Sequence, residues 1–186
     1  VIATKKEEAV EAVNKIMEDR VFGDAGNRIV IEDFLEGKEV SILALTDGKD
    51  IIPLIPSQDH KAVFDGSEGP NTGGMGAYSP TPFVSKELQE QIYREILVPT
   101  IDAFQNEDIE YKGILYAGLI LTDMGPKVLE FNARLGDPET QVVIPRLKND
   151  LVDVMEMVNN HKIDDIELEW DDRAAVCVVL ASGGYP

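Results

Sequence analysis

Cations, cysteine, histidine and long apolar runs are what this sequence has least of. Seventeen Lys and Arg stand against 35 Asp and Glu, a formal net charge of −18. A surface this acidic repels phosphate backbones and anionic membrane faces, so nucleic acid and membranes are poor partners. An anionic ligand would need local cations, meaning Mg²⁺ and a few well-placed Arg or Lys. Cys177 is the one cysteine, so no disulfide forms within the chain, which fits a reducing compartment. His60 and His161 are the only histidines, which argues against a His/Cys zinc site. No apolar run reaches the ~18 residues that cross a bilayer. No signal-peptide pattern is present, and the cytoplasm is the expected location. Neither a GxxxxGK[ST] loop nor a GxGxxG turn after a strand occurs.

What is present reads as an ordinary globular chain. The 186 residues are 44% hydrophobic and 28% charged, enough for one domain or one plus a piece of another. Val1-Ile2-Ala3 resembles the end of a strand, and Ser182-Gly183-Gly184-Tyr185-Pro186 follows a strand-like run, so a fragment of a longer enzyme is expected. Thr4 to Glu7 matches a capping box, with an apolar helical stripe at Ala9, Val10, Val13, Ile16 and Met17 that should end near Arg20. Residues 23–27 read as a loop. Strands are predicted over 28–34, 40–46 and 49–55, the last two joined by the hairpin signal Asp47-Gly48. Residues 56–82 form a long irregular stretch, and such loops are usually functional. A helix is predicted from Ser85, kinked or restarted at Pro99. Strands follow over 113–122 and 127–132. Asp137-Pro138 signals a helix start, 150–161 a further helix, and 174–181 a buried strand. The order gives an α/β or α+β fold with a mostly antiparallel sheet.

Four segments carry candidate chemistry. In Val128-Leu129-Glu130-Phe131-Asn132-Ala133-Arg134, alternation puts Glu130, Asn132 and, if the strand persists, Arg134 on one face. Neighbours on one face lie ~6.6 Å apart at Cα. A carboxylate and an amide oxygen so placed suit Mg²⁺, although a half-exposed strand shows the same alternation. Pro70-Asn71-Thr72-Gly73-Gly74-Met75-Gly76-Ala77 is glycine-rich, and its backbone N–H groups could approach an anion or simply make a flexible turn. Gln58-Asp59-His60-Lys61 combines acid, base and cation, or is solvated charge. Residues 31–39 run from a strand into a Gly-containing bend whose backbone could read an adenine edge, or form an acidic surface loop. Cys177 and Trp170 read as packing.

Together these segments resemble one family. IEDFLEGKEVS, SQDHKAVFDGSEGPNTGGMGAYSP, KGILYAGLILT and KVLEFNARLGDPETQ are similar to the glycinamide ribonucleotide synthetases (phosphoribosylamine–glycine ligases), ATP-grasp enzymes of de novo purine synthesis. The resemblance covers almost the whole chain in order. It implies an ATP-grasp fold, partial over 1–172, with 173–186 as the first strand of a C-terminal domain. It implies that glycine's carboxylate takes the γ-phosphate of ATP to give glycyl phosphate, and that 5-phosphoribosylamine then displaces phosphate. Such chemistry is mainly positioning and charge neutralisation.

By resemblance, Glu130 and Asn132 would hold Mg²⁺ (or Mn²⁺) and Arg134 would steady the transferring group. Glu32, Asp33 and Leu35 would border adenine, and Glu39 would take the ribose hydroxyls. Asn71, with Thr72, Gly73 and Gly74, would cover phosphate or substrate. Asp59 and Lys61 would face the substrate, with Asp59 toward an amine. Gly136 and Asp137 would open a helix whose N-terminus faces the anionic site. Three departures stand out. The chain lacks the lysine-bearing small-lobe loop, Ala117-Gly118 occupies the place of a second metal carboxylate, and Ala62 follows QDHK where a basic residue is expected. Exposed apolar faces after Arg173 are expected to favour dimerisation or contact with another piece. Another ATP-grasp carboxylate–amine ligase or a non-catalytic nucleotide-binding module remain the alternatives.

Overall fold

The structure is a computed structural model. It describes the backbone of residues 1–186 and every side chain except that of Ser67. The chain divides into two compact units, Val1–Glu36 and Gly37–Pro186.

The first unit holds α1 (Lys6–Met17) and a 3₁₀ turn at Gly23–Asn27, where a loop was expected. The partner of Thr4 is Glu8 and not Glu7. Its Oε2 accepts from the Thr4 amide at 2.9 Å and from the Thr4 hydroxyl at 3.0 Å. Gly26 lies against the Ile16 carbonyl, where a Cβ would collide. The strand expected over 28–34 does not form. An extended segment becomes a strand only when its N–H and C=O groups find a ladder, and no partner pairs with it among the described residues. Val30 and Ile31 are accordingly 81% exposed.

In the second unit, β1 (Lys38–Thr46) and β2 (Ile51–Pro53) make the predicted hairpin, with a shorter return strand than expected. Asp47 closes its turn, with Oδ1 accepting from the amides of Lys49 and Asp50 at 3.0 and 2.9 Å. Residues 56–82, expected to be irregular, contain four short strands: β3 (Gln58–Asp59), β4 (Ala62–Phe64), β5 (Glu68–Asn71) and β6 (Gly76–Ser79). β4 pairs with β5 and β3 with β6. Strands of two to four residues are too short for alternation to show.

α2 (Lys86–Ile92) starts at Ser85, whose Oγ accepts from the Leu88 amide at 3.2 Å. A π turn at Tyr93–Leu97 leads into α3 (Val98–Asn106), with Pro99 in its first turn, so the helix restarts where the proline predicted it. β7 (Gly113–Thr122) and β8 (Gly125–Asn132) complete an antiparallel sheet of order β2-β1-β7-β8. α4 (Thr140–Val143) begins after Asp137-Pro138, and α5 (Leu151–Asn159) is capped by Asp150.

Alternation along β1 and β7 supplies two cores. Val40, Ile42, Ala44, Leu115, Ala117 and Leu119 pack on Ile92, Leu97 and Ile101. Leu43, Leu45 and Tyr116 face the other way, onto Val142, Val143, Val154 and Val158. The sheet is therefore buried on both faces over its apolar part. Each fully buried Leu or Ile contributes about 1.5–3 kcal/mol of transfer free energy.

The run expected as a buried strand is β9 (Ala175–Val178), paired with β6 on one side only. Cys177 packs on the second core, while Val176 and Val178 are 73% and 72% exposed. A strand at a sheet edge covered on one face buries every second residue, which the continuous apolar run concealed. The 172/173 boundary expected from the resemblance falls inside this unit.

Candidate active site

The register of three neighbouring strands assembles the site. Ser41 on β1 pairs with Gly118 on β7, and Gly118 with Glu130 on β8. Two residues along, Tyr116 pairs with Asn132. Cross-strand partners share a face, so Glu39, Ser41, Tyr116, Glu130 and Asn132 all point to one side of the sheet. The Glu130–Asn132 spacing thus does what the sequence predicts. Gly118 makes room for the acid, because a Cβ there would stand 3.1 Å from Glu130 Cγ. Ala117 turns into the first core, so this part of β7 presents no second carboxylate.

Lys61 follows β3 and reaches the same face. Its Nζ lies 3.4 Å from Glu39 Oε2 and 3.8 Å from Glu130 Oε1. Burial is the largest single influence and works against its charge, but Glu39, Glu130 and Asp59 together outweigh it and raise its affinity for the proton. Asp59 sits two residues before it. Burial first, and the charge of Glu139 second, push its carboxyl up to about 7, against the pull of Lys61. Asp59 Oδ1 is buried and has no hydrogen-bond partner.

Glu139 is the residue the sequence reading missed. It is 2% exposed, and its Oε1 accepts from Ser41 Oγ and Tyr116 OH, each at 2.8 Å. Burial, with this carboxylate alongside, pushes the Tyr116 phenol up. Its one signal in the sequence was its place within the family-like string KVLEFNARLGDPETQ, where no role was drawn for it.

The glycine-rich loop is more constrained than expected. The Thr72 amide and hydroxyl donate to the Lys61 carbonyl at 2.7 and 2.9 Å. The Gly74 amide donates to Thr72 Oγ1 at 3.0 Å and the Met75 amide to the His60 carbonyl at 2.7 Å. The Gly73 amide donates to Tyr185 OH at 3.4 Å. These amides are engaged within the protein and form no open anion cradle. Gly74 serves a close approach instead: its φ is +123°, and a Cβ would collide with Pro138 Cδ. Asn71 is exposed on β5, opposite Ala62.

β8 ends at Asn132, so the strand alternation that would put Arg134 on this face does not extend to it. Its guanidinium turns back to the Leu135 carbonyl at 2.9 Å. Asp137 does not cap a helix; its Oδ1 accepts from Gln141 Nε2 at 2.6 Å. α4 has four residues, too few for a dipole-bearing terminus, so the expected anion-facing helix start is absent at Gly136-Asp137. Glu32, Asp33 and Leu35 lie in the first unit on extended chain without a ladder. No group of three or more His, Cys, Asp or Glu is arranged to hold a metal among the described residues. Two oxygen donors on β8 still fit a divalent ion that keeps water and phosphate as further ligands.

The fold is the ATP-grasp fold. Over 100% of this chain and 46% of the other, it matches a solved phosphoribosylamine–glycine ligase from Thermotoga maritima with a TM-score of 0.81 at 34% identity. The family model for the phosphoribosylglycinamide synthetase ATP-grasp (A) domain matches residues 1–140, and the chain belongs to that family. It is 56% identical to the trifunctional purine biosynthetic protein adenosine-3 of Gallus gallus, covering 100% of this chain and 19% of the relative. It is 53% identical to the phosphoribosylamine–glycine ligase of Halalkalibacterium halodurans, covering 100% and 43%. The chain therefore spans less than half the length of these relatives.

Proposed function

We propose that this chain is the nucleotide-binding part of an enzyme that joins glycine to 5-phosphoribosylamine, using ATP and releasing ADP and phosphate. The observation that carries the reading is the pair Glu130 and Asn132 on one face of β8, with Glu39 and Lys61 beside it, in a chain of this family. Glu130 and Asn132 would hold Mg²⁺, or Mn²⁺ in its place. The bound ion supplies charge neutralisation for the phosphates. Lys61 offers a fixed cation where the surrounding charge is negative.

The remaining roles follow the family resemblance. Glu32, Asp33 and Leu35 border adenine and Glu39 takes the ribose. Asn71 and the Thr72, Gly73 and Gly74 loop cover phosphate or substrate, and Gly136 and Asp137 flank them. Asp59 receives an amino group. Arg134 serves the transferring group by turning away from Leu135. Residues 1–172 belong to the ATP-grasp domain and 173–186 to the start of the next, whose exposed Val176 and Val178 suit a dimer or a further segment. The reaction belongs to the cytoplasm.

Coupled measurement of ADP release by the full-length protein tests this. Release that requires both glycine and phosphoribosylamine supports the reading. Release with neither, or with a different acceptor only, contradicts it.

A further inference from the structure

Glu139 has no part in the roles above, yet it is held more elaborately than the residues that have one. It is 2% exposed, and its Oε1 accepts from Ser41 Oγ and from Tyr116 OH, each at 2.8 Å. The two hydroxyl oxygens lie 3.0 Å from each other, so the three polar groups form one compact cluster joining β1, β7 and the start of α4. A partnered polar network in the interior fixes its members in one arrangement. The member that leads from this cluster to the site is Tyr116, itself 4% exposed.

Tyr116 and Gly118 stand two residues apart on β7 and share a face. A Cβ placed on Gly118 would stand 3.2 Å from Tyr116 Cε1 and 3.1 Å from Glu130 Cγ. The tyrosine ring and the stem of Glu130 therefore border the same notch over Gly118. They differ in freedom. The ring is buried and clamped through its hydroxyl. The Glu130 side chain is 50% exposed, with Lys61 as an ion-pair partner 3.8 Å away.

We infer that Tyr116 is a positioning residue for Glu130: clamped by Glu139 and Ser41, its ring walls the Gly118 notch and limits where the Glu130 carboxylate stands. The inference rests on the reading of Glu130 as a ligand of the divalent ion. Groups that orient a metal ligand without touching the metal are worth about 10–100-fold in metal affinity. Without the wall, Glu130 gives up more rotamer freedom when it binds the ion. Glu139 serves the site at one remove, through the ring it holds. Gly118 offers a way to disturb this arrangement, because the notch can be filled. A methyl group there presses on the ring and on the stem of Glu130 together. The clamped ring keeps its place, and the half-exposed acid gives way. Tyr116→Phe does the converse, keeping the wall and releasing its clamp.

The test is calorimetric titration of the full-length protein with ADP over a series of Mn²⁺ concentrations. Mn²⁺ should tighten ADP binding in the wild type, and the concentration that gives half of this gain is the readout. It should rise about tenfold in Gly118→Ala and in Tyr116→Phe, while the affinity for ADP without metal stays at the wild-type value. A general loosening of the fold would weaken metal-free ADP binding as well, and that result overturns the inference. So does a wild-type Mn²⁺ midpoint in either folded variant. Where Tyr116→Phe does not fold, Gly118→Ala decides alone. No gain from Mn²⁺ in the wild type overturns the Glu130 reading and this inference together. Shifted midpoints in a protein whose ADP release does not require glycine and phosphoribosylamine overturn the ligase reading and leave the role of Tyr116 standing.

Discussion

Asp59 links the site to stability through its proton. Its folded value of about 7 lies above the ordinary 3.8, so the folded protein holds this proton more tightly than the unfolded chain. Its stabilising contribution is complete below the unfolded value and is lost as pH rises through the folded one. The urea midpoint of the chain should therefore fall between about pH 4 and pH 7, and Asp59→Asn should flatten that slope. Gly74 is the second residue whose surroundings dictate its type. Its positive φ and the Pro138 ring leave no room for a Cβ. Gly74→Ala should cost about 1–3 kcal/mol in chemical denaturation. The shared face of Glu130 and Asn132 was legible in the sequence because a period of two needs no knowledge of the rest of the fold. Glu139 was not, because its partners lie 98 and 23 residues away and only folding brings Ser41 and Tyr116 to it. Arg134 was placed with Glu130 and Asn132 only if the strand persisted, and nothing in its spacing marks that β8 stops at Asn132.

Among the elements, length decided what could be read. β1, β7 and β8 are eight to ten residues long, enough for an apolar or alternating run to mark them as strands. The four strands within 56–82 carry no such mark, since β3 has two residues and β5 consists of Glu, Gly, Pro and Asn. β4 and β5 pair only with each other, while β6 lies between β3 and β9 and joins segments about a hundred residues apart. Residues 28–34 failed in the opposite sense, having a β-branched apolar run, Ile29-Val30-Ile31, and no ladder among the described residues. Caps behaved more simply, with Ser85 and Asp150 each accepting the amide expected of an N-cap. Ser85→Ala should lower stability by about 1 kcal/mol, read as a shift in the denaturation midpoint. Leu43, fully buried on β1 against α4 and α5, should cost about 2–5 kcal/mol as Leu43→Ala.

For the molecule as a whole, a charge of −18 sets the terms on which it would meet the anionic nucleotide proposed for it. The site face gathers Glu39, Glu130 and Asp59 around Lys61. A triphosphate approaching it without a divalent ion meets net repulsion, which is why the oxygen donors of β8 are central to the account. The most direct measurement is ADP release by the full-length protein, supplied with glycine, phosphoribosylamine, ATP and Mg²⁺, comparing wild type with Glu130→Gln. The substitution keeps the shape of the side chain and removes its charge. Turnover should fall by about 10²–10³-fold, the scale of losing one preorganised electrostatic contact, while the folded state persists. A Glu130→Gln enzyme that releases ADP at the wild-type rate would contradict the claim that this strand face holds the ion.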